Sequence, residues 1–264
     1  MKDTAVLYKR KENIGIITLN RPHRLNAINL ELLRGIMAHL EEAREDTAVA
    51  TVILTGAGNA FCAGEDLKET AAGKSIEQWI EETERLQNIQ RMIMKLGKPV
   101  IAAVSGYALG GGCEFAMGCD LRIADESARF GFPETGVGLT VTNAGTKLLT
   151  HLVGLGRAKE LILCGDFIGA REAERIGLVN KVVAPEDLMP EAMALARKMG
   201  QRSPLALRLS RIAIDQGMEA GFDQTLELEM SHLLICSQQD QAYVRKRLEE
   251  MDRAAEEKGA VPPK

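Results

Sequence analysis

The 264-residue sequence has few aromatic residues, no excess of basic charge and no long apolar run. Aromatic residues make up 4% of the chain and hydrophobic residues 45%, so we expect a mainly aliphatic core. The formal net charge of −4 argues against a nucleic-acid-binding surface spread over the whole molecule. No stretch approaches the ~20 apolar residues that a membrane-spanning helix needs. These absences predict a soluble protein without a membrane partner. The length of 264 residues is enough for a sizeable core.

Paired cysteines are also absent. None of the five cysteines belongs to a C-x-x-C pair, so the sequence indicates neither a zinc site nor a disulfide framework. Scattered, reduced thiols are typical of cytosolic proteins. The first residues, Met1 to Val6, lack the apolar stretch of a secretory signal. We therefore expect a cytoplasmic protein.

Strand and helix patterns alternate through the first two-thirds of the chain. This order predicts an α/β fold with a largely buried sheet. From Leu188 onward no convincing strand remains, and we place a soft boundary between residues 202 and 203. The predicted strands cover 6–9, 14–19, 49–55, 98–107, 121–124 and 178–183, and the main predicted helices cover 30–45, 76–96, 144–153, 157–163 and 170–176.

A glycine-rich loop carries the strongest chemical signal. Gly110 to Gly112 follow an apolar strand and precede Glu114 at the start of an apolar helix. Glycines expose backbone N–H groups, although they also suit an ordinary tight turn, and a glutamate at a helix start often serves only the helix dipole. Glu134 stands in a second apolar segment, 130–134. The two glutamates beside the glycine loop favour an oxyanion hole with an acid/base pair.

A second loop, 59–69, follows the strand at 49–55. Asp66 marks the start of a helix there, and a helix N-terminus offers further free N–H groups. If the two loops lie at the same edge of the sheet, each can donate one N–H group to a shared oxygen.

Other common sites are excluded by their spacing. Gly56-Ala57-Gly58 lacks the third glycine of a dinucleotide fingerprint, because Phe61 stands in its place. Gly110 to Gly112 are not followed by the Lys-Ser or Lys-Thr of a P-loop. Ser105 lacks the first glycine of a nucleophile elbow, and the four histidines are dispersed.

Three segments together resemble the enoyl-CoA hydratase/isomerase (crotonase) family: 60–68, 98–114 and 130–134. Shorter matches lie at 20–22, 25–27, 152–154 and 177–179, and the likeness covers most of residues 5–200. The resemblance implies a spiral of ββα units over residues 1–202, followed by a helical oligomerisation segment at 203–264. It also implies homotrimers, which commonly pair into hexamers.

The resemblance further implies an acyl-CoA substrate and no metal or redox cofactor. The backbone N–H groups of Glu65 and Gly111 are then the oxyanion-hole donors, and a charged side chain at Glu65 is unusual for that role. Glu114 is expected to act as base, its charge favoured by the helix dipole, and Glu134 as acid in its apolar pocket. The expected contacts to the acyl-CoA are Arg24, Ala27, Ala63, Asp66, Leu67, Gly110, Thr142 and Asn143.

The presence of both glutamates favours a hydratase, since isomerases of the family typically keep one carboxylate, often the later one. One stretch departs from the family pattern. Residues 138–147 replace a glycine-rich segment, so Thr142 and Asn143 stand where bare backbone normally lies near the acyl chain. This departure admits a branched or cyclic acyl group, and with it an isomerase, a hydrolase or a hydratase-lyase of the same family.

Some relatives of this fold bind RNA. Arg245-Lys246-Arg247 is a compact basic run, and we interpret it as a solvated helix end or a surface facing the CoA phosphates. No nucleic-acid partner is therefore expected.

Overall fold

Two sheets organise the first part of the chain. Residues 4–257 are described by a computed structural model, which divides into two units, Met1–Met199 and Gly200–Lys264. The first unit contains the following strands: β1 Val6–Lys11, β2 Ile14–Leu19, β3 Thr51–Gly56, β4 Ala60–Cys62, β5 Val100–Val104, β6 Tyr107–Leu109, β7 Leu121–Asp125, β8 Arg129–Gly131, β9 Ile168–Gly169 and β10 Lys181–Val183.

The larger sheet has the order β1-β2-β3-β5-β7-β10, and the smaller one β4-β6-β8-β9. In the larger sheet β1 and β2 are antiparallel, and all the other neighbours are parallel. The chain passes from the large sheet to the small one three times, from β3 to β4, from β5 to β6 and from β7 to β8. At each of these three crossings a longer strand is followed by a three-residue one, which is the repeated unit that the resemblance implies.

Glycine makes one of these crossings possible. Gly106 has φ +62°, and a Cβ atom there would lie 1.9 Å from the carbonyl oxygen of Asn59. Only a residue without a side chain allows the β5–β6 turn to approach the β3–β4 turn so closely. The predicted single strand at 98–107 is therefore wrong, because the chain turns at Ser105 and Gly106 and continues in the other sheet.

Helices cover the sheets of the first unit. Asn29 caps α1 by accepting a hydrogen bond from the Leu32 N–H at 2.9 Å, and Ser75 and Gln78 form a capping box at the start of α3. The helices of this unit are α1 Leu30–Glu45, α2 Leu67–Ala71, α3 Ile76–Met94, α4 Gly111–Gly118, α5 Gly145–Val153, α6 Leu155–Cys164, α7 Ala170–Arg175 and α8 Leu188–Gly200.

The core lies on both faces of the larger sheet. Successive side chains of a strand point to opposite faces. Val52 and Leu54 belong to the main apolar cluster, which also includes side chains of α1 and α3. Ile53 belongs to a second cluster with Leu188, Ala192 and Ala196 of α8. The long strands are therefore buried on both sides, as the sequence predicts.

The second unit contains α9 Pro204–Gly217, α10 Phe222–Gln239 and α11 Gln241–Glu257. Ser203 caps α9 by accepting from the Ala206 N–H at 3.0 Å. Helix α10 has no buried residue, and Phe222 is 79% exposed. Between residues 4 and 257, none of the helices combines the length and apolar character needed to cross a membrane.

The predicted elements agree with the structure where the apolar pattern extends over several turns of a helix. The helix expected at 30–45 has those bounds, and no strand follows Leu188 within the described residues. The two- and three-residue strands β4, β8 and β9 were not predicted, because segments so short carry no period. Of the strand expected at 178–183, only the last three residues form a strand, which is β10. Residues 258–264 of the predicted oligomerisation segment lie outside the described residues.

Candidate active site

A cavity of about 470 Å³ opens in the first unit between the two loops that the sequence singled out. Leu109 to Gly111 form one wall, and Ala63 to Glu65 form another. Apolar side chains of Ile28, Leu86 and Phe167 also line it. A concave, mostly apolar site with a few polar groups is the usual form of a small-molecule site.

The glycine loop is built for close contact. Gly110, with φ +50°, follows strand β6 directly, and α4 begins at the next residue. A Cβ atom at Gly110 would lie 3.0 Å from Oε1 of Glu134. At Gly112 it would lie 2.1 Å from the carbonyl oxygen of Cys62. Glycine at these positions therefore brings the two loops and Glu134 together.

Two backbone N–H groups remain free between these loops. Ile28 donates to the Gly64 carbonyl and accepts from the Asp66 N–H, so in this parallel bridge the N–H of Glu65 points away from Ile28. The N–H of Gly111 is at the first position of α4, where no intrahelical acceptor exists. Within residues 4–257 neither group has a hydrogen-bond acceptor.

Glu114 is 1% exposed and is held by Thr142. The Thr142 N–H donates to Oε1 of Glu114 at 2.6 Å, and the Thr142 hydroxyl donates to Oε2 at 3.0 Å. Burial raises the pKa of Glu114 to about 7, with a further increase from the charge of Glu134, although the Thr142 hydrogen bonds oppose it. Burial thus opposes the charged form of Glu114, which the helix dipole was expected to favour.

Glu134 lies on the cavity wall in a short 3-10 turn that begins at Pro133. Its Oε2 atom is buried and has no hydrogen-bond partner among the described residues. Burial raises the pKa of Glu134, against the effect of its own backbone N–H. Both carboxyl groups therefore have raised pKa values and face the same small region around Gly110 and Gly111.

The segment that departs from the family pattern wraps around Glu114. Asn143 has φ +47° and Ala144 has φ +57°, in the left-handed region that non-glycine residues rarely adopt. The Asn143 amide lies near enough to lower the pKa of Glu114, but it is outside hydrogen-bonding geometry. A Cβ atom at Gly145 would lie 2.8 Å from Oε1 of Glu114. This segment therefore packs directly against the carboxylate.

Seven of the twelve predicted site residues line the cavity: Ala63, Glu65, Leu67, Gly110, Gly111, Glu134 and Thr142. Glu114 and Asn143 lie behind Thr142, and Ala27 is also outside the lining. Asp66 is held away from the cavity by Arg21 at 3.2 Å and by Arg24 at 3.4 Å. Arg24, expected to contact CoA, is thus paired with another predicted site residue.

Sequence reasoning missed three residues next to the cavity. Trp79 and Glu82 of α3 line it, and Lys74 contacts both of them. One signal was available for Glu82. It is four residues before Leu86 and seven before Ile89, so it falls on the buried stripe of an amphipathic helix, where a charged residue is unusual.

Comparisons with known proteins agree on one family. The enoyl-CoA hydratase/isomerase family profile matches residues 9–257. The short-chain-enoyl-CoA hydratase of Clostridium acetobutylicum is 44% identical over 255 residues, covering 94% of this chain and 97% of the relative. The crotonyl-CoA hydratase of Syntrophomonas wolfei is 41% identical over 250 residues, covering 92% and 95%.

Solved structures lead to the same family. The crystal structure of an enoyl-CoA hydratase from Bacillus anthracis superposes with a TM-score of 0.86 at 36% identity, covering 98% of both chains. An enoyl-CoA hydratase subunit from Geobacillus kaustophilus superposes with a TM-score of 0.84 at 34% identity, covering 98% of this chain and 97% of that one. These two matches confirm the predicted fold class, a crotonase-like α/β spiral with C-terminal helices.

Proposed function

The chain belongs to the enoyl-CoA hydratase/isomerase family, and from that premise we propose that it adds water across the 2,3 double bond of an enoyl-CoA thioester to give a 3-hydroxyacyl-CoA. One observation carries this proposal. Two buried carboxyl groups, Glu114 and Glu134, lie beside a cavity lined by Glu65 and Gly111, whose backbone N–H groups have no acceptor within residues 4–257. Water addition needs a proton acceptor, a proton donor and a site for developing negative charge.

The N–H groups of Glu65 and Gly111 form the oxyanion hole. They bind the thioester oxygen, and their hydrogen bonds strengthen as the enolate develops on it. One such donor contributes ~3–4 kcal/mol to stabilisation of the transition state. Because only the backbone of Glu65 acts, its charged side chain is compatible with this role.

Glu114 and Glu134 hold the water between them. One carboxylate accepts a proton as the water oxygen bonds to C3, and the other group delivers a proton to C2. We assign Glu114 as the base, since a pKa of about 7 suits a base that works near neutral pH. We assign Glu134 as the acid, since burial raises its pKa and so favours its protonated form. The two groups interact, so their macroscopic pKa values belong to the pair.

Isomerisation of an enoyl-CoA is the second candidate. Glu134 lines the cavity, while both oxygens of Glu114 are occupied by Thr142. A single working carboxylate at the later position is the pattern of isomerases. The names of the two hydratase relatives favour hydration. A hydrolase is the third alternative, and release of free CoA would indicate it.

Acyl-CoA is the proposed substrate and its CoA portion the only coenzyme. We also propose a homotrimer, or a hexamer of two trimers, assembled through the second unit. Helix α10 supports this, since Met230 is 64% and Leu233 68% exposed in the single chain. The five cysteines are free thiols, which suits the reducing cytoplasm in which we place the enzyme.

Substitution of each glutamate tests the mechanism. Glu114→Gln and Glu134→Gln keep the shape of each side chain but remove its proton transfer, and each should lower kcat for crotonyl-CoA hydration ~10²-fold or more. The loss of enoyl-thioester ultraviolet absorbance measures the rate. Glu84→Gln, on the exposed face of α3, is the control and should retain full activity. Near-full activity in both active-site variants is incompatible with the two-carboxylate mechanism.

A further inference from the structure

A cluster of charged side chains lies behind the loop that contains Glu65, between β4 and α2, and the proposed mechanism assigns no role to this cluster. The Lys74 ammonium contacts Oε1 of Glu65 and lies 2.7 Å from Oε2 of Glu82. It also lies 4.7 Å from the centre of the Trp79 ring, a cation–π distance. The Thr70 hydroxyl donates to Oε1 of Glu65 at 2.5 Å. Glu65, Lys74 and Glu82 are called the ion triad below.

The ion triad is largely removed from water. The side chains of Lys74, Glu82 and Glu65 are 9%, 4% and 16% exposed. Burial works against the charge of Lys74, yet its hydrogen bonds to the two carboxylates outweigh burial and raise its pKa. Burial also raises the pKa of Glu82 to about 7, with a further increase from Glu65. Removal of one partner leaves buried charge uncompensated, so such a cluster holds its members firmly in place.

The ion triad connects a weakly anchored segment to a firmly anchored one. Helix α2, which follows the Glu65 loop, has no buried residue, and a Cβ atom at Gly73 would meet nothing within 4 Å. Glu82, in contrast, belongs to α3, whose buried side chains Leu86 and Ile89 are part of the main core. Lys74 therefore ties the side chain of Glu65 to a helix that the core fixes.

We propose that Lys74 and Glu82 are positioning residues of the oxyanion hole, which hold Glu65 through its side chain so that its backbone N–H stays directed at the thioester oxygen. This inference rests on the proposed function, specifically on the donor role of the Glu65 N–H. It also gives a reason for a charged residue at an oxyanion-hole position. The main chain is held on its other side by Asp66, which Arg21 and Arg24 bind.

The effect of Lys74→Met on kcat, measured in the wild-type and in the Glu65→Ala protein, separates a positioning role from a general loss of stability. Lys74→Met removes the charge that links the two carboxylates, and Glu65→Ala keeps the backbone N–H but removes the side chain that the ion triad holds. We expect Lys74→Met to lower kcat ~10-fold or more with little change in KM, because the lost interaction forms mainly in the transition state. In the Glu65→Ala background the same substitution should change kcat less than about two-fold.

A second readout does not depend on turnover. Acetoacetyl-CoA is a thioester that can ionise to its enolate, and a correctly placed oxyanion hole favours that enolate when it is bound. Titration of the ultraviolet absorbance of the bound enolate should show a higher apparent pKa, by about one unit, in Lys74→Met. Lys74→Arg, which keeps the charge, should restore at least half of the effect in both measurements. Glu84→Leu, on the exposed face of α3, should leave both unchanged.

The outcomes separate this inference from the function on which it rests. If the wild-type protein does not hydrate crotonyl-CoA, the proposed function fails. If the wild type hydrates it and Lys74→Met retains full kcat, or loses kcat equally in both backgrounds, the positioning role is refuted and the proposed function stands. Melting temperatures of all variants, measured in parallel, confirm that each is folded at the assay temperature.

Discussion

At the scale of single residues, Thr142 opposes the effect of burial on the ionisation of Glu114. Its N–H and its hydroxyl donate to the two carboxylate oxygens, which stabilises the charged form. Thr142→Val removes only the hydroxyl bond and should raise the pKa of Glu114. The acidic limb of the kcat/KM profile, which requires ionised base, should then move to higher pH by about half a unit to one unit.

Thr142→Ser retains the hydroxyl and is the matched control, so its profile should coincide with that of the wild type. A pH profile of kcat/KM between pH 5 and 9 provides the measurement. An acidic limb that stays in place in Thr142→Val means that Glu114 does not govern it.

Glu114 should also make stability depend on pH. Its carboxyl has a pKa of 4.5 in the unfolded chain and about 7 in the folded protein. Between these values the folded state binds more protons, so stability falls as pH rises from about 4.5 to 7 and is lower by up to ~3 kcal/mol above that range.

The variant Glu114→Gln lacks this titration and should lose less stability between pH 5 and pH 8 than the wild type. Urea unfolding at the two pH values measures the difference. Equal losses in the two proteins contradict the raised pKa of Glu114.

At the scale of structural elements, the contact between α4 and β4 requires glycine. A Cβ atom at Gly112 would lie 2.1 Å from the carbonyl oxygen of Cys62, which is backbone and cannot move aside alone. Gly112→Ala should therefore separate the two loops, lower stability by ~1–3 kcal/mol and reduce kcat at least ~10-fold. Gly156→Ala in α6, where a Cβ meets nothing within 4 Å, should be neutral or stabilising.

Thermal unfolding and hydration kinetics of the two alanine variants test this prediction. A Gly112→Ala enzyme with wild-type kcat contradicts the close approach of the loops.

The same elements show what sequence patterns can and cannot reveal. The stretch at 30–45 repeats apolar residues over four turns behind an N-cap, and its bounds were predicted. Strand β9 has two residues and owes its conformation to pairing with β8, which no local pattern records. The turn at Gly106 depends on contact with Asn59, a residue distant in sequence. Lys74 was missed for a similar reason, because its partners come together only in the folded chain.

At the scale of the whole molecule, the second unit should determine assembly. Helix α10 exposes Phe222, Met230 and Leu233, and exposed apolar patches of this kind mark interaction surfaces. Leu233→Glu should shift the proposed trimer or hexamer toward monomer, as sedimentation velocity can measure. Ser231→Glu, two residues earlier and also exposed, is the control for added charge on the same helix. A wild-type protein that sediments as a monomer contradicts the proposed assembly.

The family and its fold could be predicted from the sequence, because three long motifs of the first unit match the family, and each supplies residues to one cavity. The acyl group could not be predicted. The cavity proposed to hold it is lined partly by Trp79, Glu82 and Thr142, which come from segments outside the matching motifs. Their arrangement depends on tertiary contacts rather than on local pattern.

The incorporation of solvent oxygen tests the central claim most directly. Crotonyl-CoA is incubated with the wild-type enzyme in oxygen-labelled water, and the products are separated and analysed by mass spectrometry. The proposed mechanism predicts 3-hydroxybutyryl-CoA with one labelled oxygen at C3, formed at a rate that falls ~10²-fold in Glu134→Gln. An unlabelled enoyl-CoA with a moved double bond, or free CoA with labelled carboxylic acid, would contradict it.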